Sequence, residues 1–168
     1  MLLKHTYLLY SFFLLSFWNV AFAQEENSKI DSLLNIIATE KSDTLRARAL
    51  VIVGGNIYGK EPKKAEAYYR EASVVFSKYN MSKEMAESFS GLGTLHKNYG
   101  YLDSSLFYHN KSLELYKKIK FLKGMSIVYN NMAITHKEMG EYGKALWYCF
   151  EALKLIDEKK NKKQYAKI

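Results

Sequence analysis

The chain has 168 residues, a formal net charge of +8 at pH 7 and a single cysteine, Cys149. That length is enough for one domain. One cysteine excludes an intramolecular disulfide, and the sequence holds no H-E-x-x-H or C-x-x-C zinc pattern.

Residues 1–23 have the layout of a secretory signal peptide. Lys4 and His5 form a short basic start, Tyr7 to Val20 is almost wholly apolar, and Ala21-Phe22-Ala23 gives an A-x-A cleavage pattern before Gln24. The alternative is an uncleaved anchor, because about 16 to 20 apolar residues nearly span a bilayer. No cysteine follows Ala23, so this is not a lipoprotein start. The mature chain is expected to begin at Gln24 and to be exported, periplasmic, or held at the inner membrane if the segment is uncleaved. Export argues against a nucleic-acid partner despite the basic charge.

Residues 24–43 form a leader. Ile30, Leu33, Leu34, Ile37 and Ala38 are at helical spacing, which predicts a short helix covering the open end of the first helix pair. Ser42 or Asp43 is the expected N-cap of the next helix.

From Thr44 onward the sequence repeats itself every 40 residues without a gap. Ser126 to Leu155 holds Tyr129, Met132-Ala133, His136, Gly140, Ala145, Tyr148, Cys149 and Ala152. Forty residues earlier stand Phe89, Leu92-Gly93, His96, Gly100, Ser105, Tyr108 and Ser112; forty before that, Ala49, Ile52-Val53, Asn56, Ala65, Tyr68 and Ala72. Small residues stay small and Tyr68, Tyr108 and Tyr148 are identical. Self-similarity at a fixed period is the mark of a helical solenoid. The small-residue columns and turn glycines resemble the tetratricopeptide repeat (TPR), two antiparallel helices per unit, here lengthened by about two turns relative to the usual 34 residues. The resemblance implies an all-α, TPR-like solenoid of helix-turn-helix pairs, with repeats at 44–83, 84–123 and 124–163 and residues 164–168 starting a further helix. The opening IDSLLNIIATEKSDTLRARAL resembles the leader of TPR regions at the front of Bacteroidetes-type sensor kinases and helix-turn-helix regulators. Since the next first helix falls due near Ala166, this resemblance carries the expectation of a longer reading frame.

Several motifs invite a chemical reading. Gly54 to Lys60 fits G-x-x-x-x-G-K, close to a phosphate-binding loop. Glu61 replaces the Ser or Thr that would serve Mg²⁺, and Pro62 follows at once, so the glycines are read as ending one helix and Pro62 as opening the next. The dense tyrosines (Tyr68, Tyr69, Tyr108, Tyr116, Tyr148) are read as core. His96 and His136 share one repeat column and are read as polar-tipped packing residues, because helices of stacked units lie about 10 Å apart, too far to share a zinc ion. Cys149 is read as a small buried residue on the inward side of its helix. Glu87, Glu138, Glu141 and Glu151 form no catalytic pair. No enzyme activity, cofactor or metal is expected.

Lys78 and Lys83, then Lys117, Lys118, Lys120 and Lys123, then Lys159, Lys160, Lys162 and Lys163 recur at one phase. They are expected along one edge, either as a solvated rim or as a patch for an acidic partner or an anionic membrane surface. The resemblance implies protein or peptide binding on the face lined by first helices, with Thr94, Lys97, Asn98, Asn130, Asn131, Ile134, Lys137 and Glu138 as candidate contacts. The family's carboxylate clamp is not expected, because its positions hold Leu50, Gly54, Gly91 and Ile127, with only Asn131 of a suitable type. Leu146, Leu153 and Ile156 are expected to face an open end, a site for self-association or another protein. The expected role is the sensory front of an envelope signalling protein; the alternative is a stand-alone adaptor for an envelope complex.

Overall fold

The computed structural model describes residues 28–165, with side chains through residue 156. The signal-peptide reading of residues 1–23 lies outside the described residues. Within the described residues seven helices follow one another: α1 (28–39), α2 (Asp43–Ile57), α3 (Pro62–Lys78), α4 (Ser82–Asn98), α5 (Leu102–Lys118), α6 (Leu122–Glu138) and α7 (Tyr142–Tyr165). First helices α2, α4 and α6 pack on second helices α3, α5 and α7. Each second helix also packs on the first helix that follows, and α2, α4 and α6 touch in series. This is the expected all-α solenoid. Among the described residues no helix is long and apolar enough to cross a membrane.

The backbone repeats at half the period of the side chains. Helices α3 to α6 are each 17 residues long and start 20 residues apart. A left-handed residue stands at each of the four joints from α3 to α7: Asn80 (φ 55°), Gly100 (78°), Lys120 (54°) and Gly140 (78°). Each joint closes by the same pair of bonds. The Met81, Tyr101, Phe121 and Glu141 amides donate to the carbonyls of Phe76, His96, Tyr116 and His136, every one at 2.9 Å. The left-handed residue donates to the carbonyl three back. These are Schellman motifs, which satisfy orphan carbonyls at a helix end. The motif favours an apolar contact across its ends, and here Tyr116 meets Phe121 with ring centroids 5.4 Å apart, and His96 meets Tyr101 at 5.9 Å. At the last joint the contact is polar: His136 Nδ1 lies 2.6 Å from Glu141.

The closing residue of one helix is also the N-cap of the next. Met81, Tyr101 and Phe121 therefore sit at N-caps with no side-chain cap bond. α2 starts with a side-chain cap, its Leu45 amide donating to the Ser42 hydroxyl. α7 runs unbroken to Tyr165, past the point where α3 and α5 turn, so residues 164 and 165 extend this helix and do not begin another. Asn161 stands where Met81 and Phe121 fold back, and the apolar closure is missing from the sequence.

The turn chemistry has a measurable consequence. A non-glycine residue in the left-handed region costs about 1–2 kcal/mol, and glycine loses about 0.5–1 kcal/mol in chain entropy. Nothing lies within 4 Å of a Cβ added at Gly100 or Gly140, so conformation alone decides. Gly100→Ala and Gly140→Ala should each lower stability by about 0.5–1 kcal/mol, and Lys120→Gly should raise it by about 0.5 kcal/mol. Urea midpoints should shift in opposite directions; shifts of one sign would contradict this account of the joints.

The core runs along the array as linked clusters. Ala47, Leu50, Ala72 and Phe76 form the first, with Ile37 of α1 against it; Ala65, Tyr69, Leu92 and Leu95 form the next; Ala86, Leu113, Tyr116, Val128, Tyr129 and Met132 lead the third. The small columns are closed as expected: Ala65, Ser105, Ala72 and Ser112 are wholly buried. Ser112 donates to the Ala86 carbonyl at 2.7 Å, and Ser105 and Thr135 share a hydroxyl contact at 3.2 Å.

Candidate functional site

Successive first helices leave two adjoining openings between them. The opening between α2 and α4, about 400 Å³, is lined by Arg48, Val51, Ile52, Lys83, Glu84 and Glu87. The one between α4 and α6, about 280 Å³, shares Lys83 and Glu87 and adds Ser90, Lys123 and Ile127. Each places an exposed isoleucine, Ile52 or Ile127, among charges. Arg48 bonds Glu84 at 2.8 Å across the first opening. Lys83 lies 3.5 Å from Glu87 and 5.5 Å from the centre of the Phe121 ring, between the two openings.

The candidate contacts read from the sequence fall elsewhere on the same stripe. Lys83, Glu87, Ser90, Thr94 and Lys97 follow one helical face, but the openings lie at its N-terminal half. Further along, Lys97 reaches Glu138 of α6 at 3.5 Å and bridges the two helices. Thr94 donates to its own Ser90 carbonyl at 3.1 Å; Asn131 is half-buried and Asn98 exposed. Asn130, Ile134 and Lys137 line a third opening, between α6 and α7. Arg48, Ile52, Glu87 and Ile127, which line the two openings, are not among the candidate contacts read from the sequence. The 40-residue recurrence of Lys83 and Lys123 was the available signal, read there only as a basic edge. Of that edge Lys78 lies 3.5 Å from Asp43, Lys117, Lys118 and Lys120 are exposed, and the side chains of residues 159–163 are outside those described.

The motifs with a possible chemistry resolve into packing. Gly54 and Gly55 lie in the last turn of α2, Gly59 follows its C-cap Tyr58, and Pro62 opens α3 as expected. The Tyr69 ring occupies the space beside Gly54 and Gly91, so these glycines exist to admit a ring, and the phosphate-loop geometry is absent. Tyr69 and Tyr116 are buried, and burial pushes the Tyr69 hydroxyl up to about 12. His96 stacks on Tyr108 and His136 on Tyr148, each at 5.1 Å, as the shared column predicts. His109 is wholly buried with neither ring nitrogen hydrogen-bonded. Its burial, with Lys97 nearby, pushes its pKa down to about 4. Among the described residues no group of three His, Cys, Asp or Glu side chains is placed to hold a metal ion. Cys149 corrects the sequence reading: it is exposed. Its column is inward, since Tyr69 and His109 in the same column are buried, but no described helix covers it.

No family model matches the sequence, and no curated protein is significantly similar to it. Among solved structures the chain is similar to the TPR domain of Arabidopsis FLU, at 19% identity and a TM-score of 0.61, over 67% of this chain and 95% of that one. An identity so low speaks for the fold alone, and the helix order, the 20-residue joints and this likeness agree: the protein is a TPR-like α-solenoid.

Proposed function

We propose that the protein is a non-catalytic module that binds a protein or peptide segment along the track where α2, α4 and α6 lie side by side. One observation carries the reading. The two openings share Lys83 and Glu87, so that an apolar contact at Ile52 and another at Ile127 belong to one continuous charged surface. TPR-like folds serve widely as binding scaffolds, and the fold itself hosts no fixed chemistry. Export to the cell envelope is supported by the layout of residues 1–23, and a place at the sensory front of a signalling protein by the texture of the leader.

A photo-crosslinking residue at Ile127 tests the track, with Val74, 69% exposed on α3, as the control. Expected is a discrete adduct in the envelope fraction from position 127 and none from 74. Equal capture from both, or from neither, would refute the track. Mass spectrometry of the same protein should find Gln24 at its N-terminus; an intact residue 1 would speak against cleavage.

A further inference from the structure

The α6–α7 end of the array carries a second surface of different character. An opening of about 300 Å³ is floored by Ala133, Ile134, Ala145, Leu146 and Cys149, with Tyr142 at its side. Beside it Leu153 is 55% and Ile156 43% exposed.

The repeat columns say what shape of ligand this surface takes. One repeat earlier the corresponding residues are Ser105, Leu106, His109, Leu113 and Tyr116, and a first helix covers them. Thr135 of α6 meets Ser105 at 3.2 Å, and Glu138 of α6 meets Lys97 at 3.5 Å. Two repeats earlier Tyr69 is covered by α4, where a Cβ on Gly91 would stand 2.4 Å from the ring. In the last repeat the same columns hold Ala145 for Ser105, Lys137 for Lys97 and Cys149 for Tyr69. Lys137 is exposed and, among the described residues, has no ion-pair partner. The large residue that required glycine opposite it has become small, which leaves room for a large one.

We infer that this surface receives an amphipathic α-helix from another protein, docked as α6 docks on α4 and α5. It presents a large apolar side chain over Ala145 and Cys149. Three residues later an acidic side chain meets Lys137, as Glu138 follows Thr135. Among the described residues a second copy of the chain offers no free helix of this kind outside α7, which carries the surface itself. The nearest, α1, turns Ile37 into the cluster of Leu50 and Phe76 and engages Glu40 with the Ser42 amide. The inference shares with the proposed function only the reading of the protein as a binding module. It concerns a different surface, so a failure here and a failure of crosslinking at Ile127 are separately visible.

Cys149, as the sole cysteine, reports occupancy. The probe is a capped peptide of the 17-residue α6 sequence carrying Thr135→Leu, added to the whole protein while Cys149 is alkylated with N-ethylmaleimide. Saturating peptide should slow alkylation about tenfold, and Lys137→Glu in the protein should weaken the peptide about fivefold. A peptide that also carries Glu138→Lys should restore binding to that variant. Leu146→Asp should abolish protection, with circular dichroism confirming that the exposed substitution leaves the fold intact. Absent protection, or protection insensitive to Lys137→Glu, overturns the inference. So does protection that arises from protein concentration alone with a dimer in sedimentation, which would make a second copy the occupant.

Discussion

Gly91→Ala should destabilise the protein by about 2–3 kcal/mol, the upper part of the range for overpacking a core. A Cβ there would stand 2.4 Å from Tyr69 Cε1, 2.5 Å from Cζ and 2.9 Å from Cδ1. These are ring atoms of a buried side chain and cannot swing aside as the tip of a lysine could. Retreat is blocked as well, because on the other side the ring lies against the bare backbone of Gly54, where a Cβ would come within 3.3 Å. Relief requires α3 and α4 to separate, which opens the cluster of Ala65, Leu92 and Leu95. Gly59→Ala is the control, with nothing within 4 Å. Urea unfolding measures both, and Tyr69→Leu should make the Gly91→Ala change cheaper, a non-additive pair of touching residues. Equal costs at positions 91 and 59 would contradict the packing.

Acid should unfold the protein in part through His109. Burial holds its pKa at about 4 against the ordinary 6.5, so the unfolded chain takes up a proton that the folded one refuses. Stability from the neutral ring is fully present above pH 6.5 and is lost as pH falls from 6.5 to 4. At about 1.4 kcal/mol per pKa unit, the loss approaches about 3 kcal/mol. His109→Phe keeps a ring against Gly93 and removes both unpartnered nitrogens. Its unfolding midpoint should stay nearly level where the native protein's falls. Glu141, held low by Lys144 and then His136, loses its contribution only as pH falls below its ordinary range, and does so in both proteins. Parallel profiles would show that His109 does not carry the effect.

The architecture was legible because side-chain size recurs every 40 residues: Ala65, Ser105 and Ala145 announce close helix approach whatever else varies. The joints were only half legible. Gly100 and Gly140 advertise left-handed turns, while Asn80 and Lys120 adopt the same conformation without a glycine to mark it. N-cap signals were missing because Met81, Tyr101 and Phe121 each close one helix and open the next, and apolar closure outweighs a polar cap. Cys149 was placed on the correct face, but its exposure depends on a neighbour that a helical wheel does not contain. The openings along the first helices are not placed by the sequence, since a stripe on a wheel has no length: Lys97 and Glu138 meet at one end of it, and Lys83 and Ile127 stand at the other.

Sharing one residue between the end of a helix and the start of the next leaves no slack at the joints. A single inserted residue in α4 would rotate everything after it by about 100° and advance it by about 1.5 Å. The Arg70–Tyr108 and Tyr99–Tyr58 hydrogen bonds, which join residues before α4 to residues after it, would both be thrown out of phase. A block of forty residues restores every column at once. The chain can therefore change length only in whole units, and its reach is set by counting repeats rather than by stretching loops.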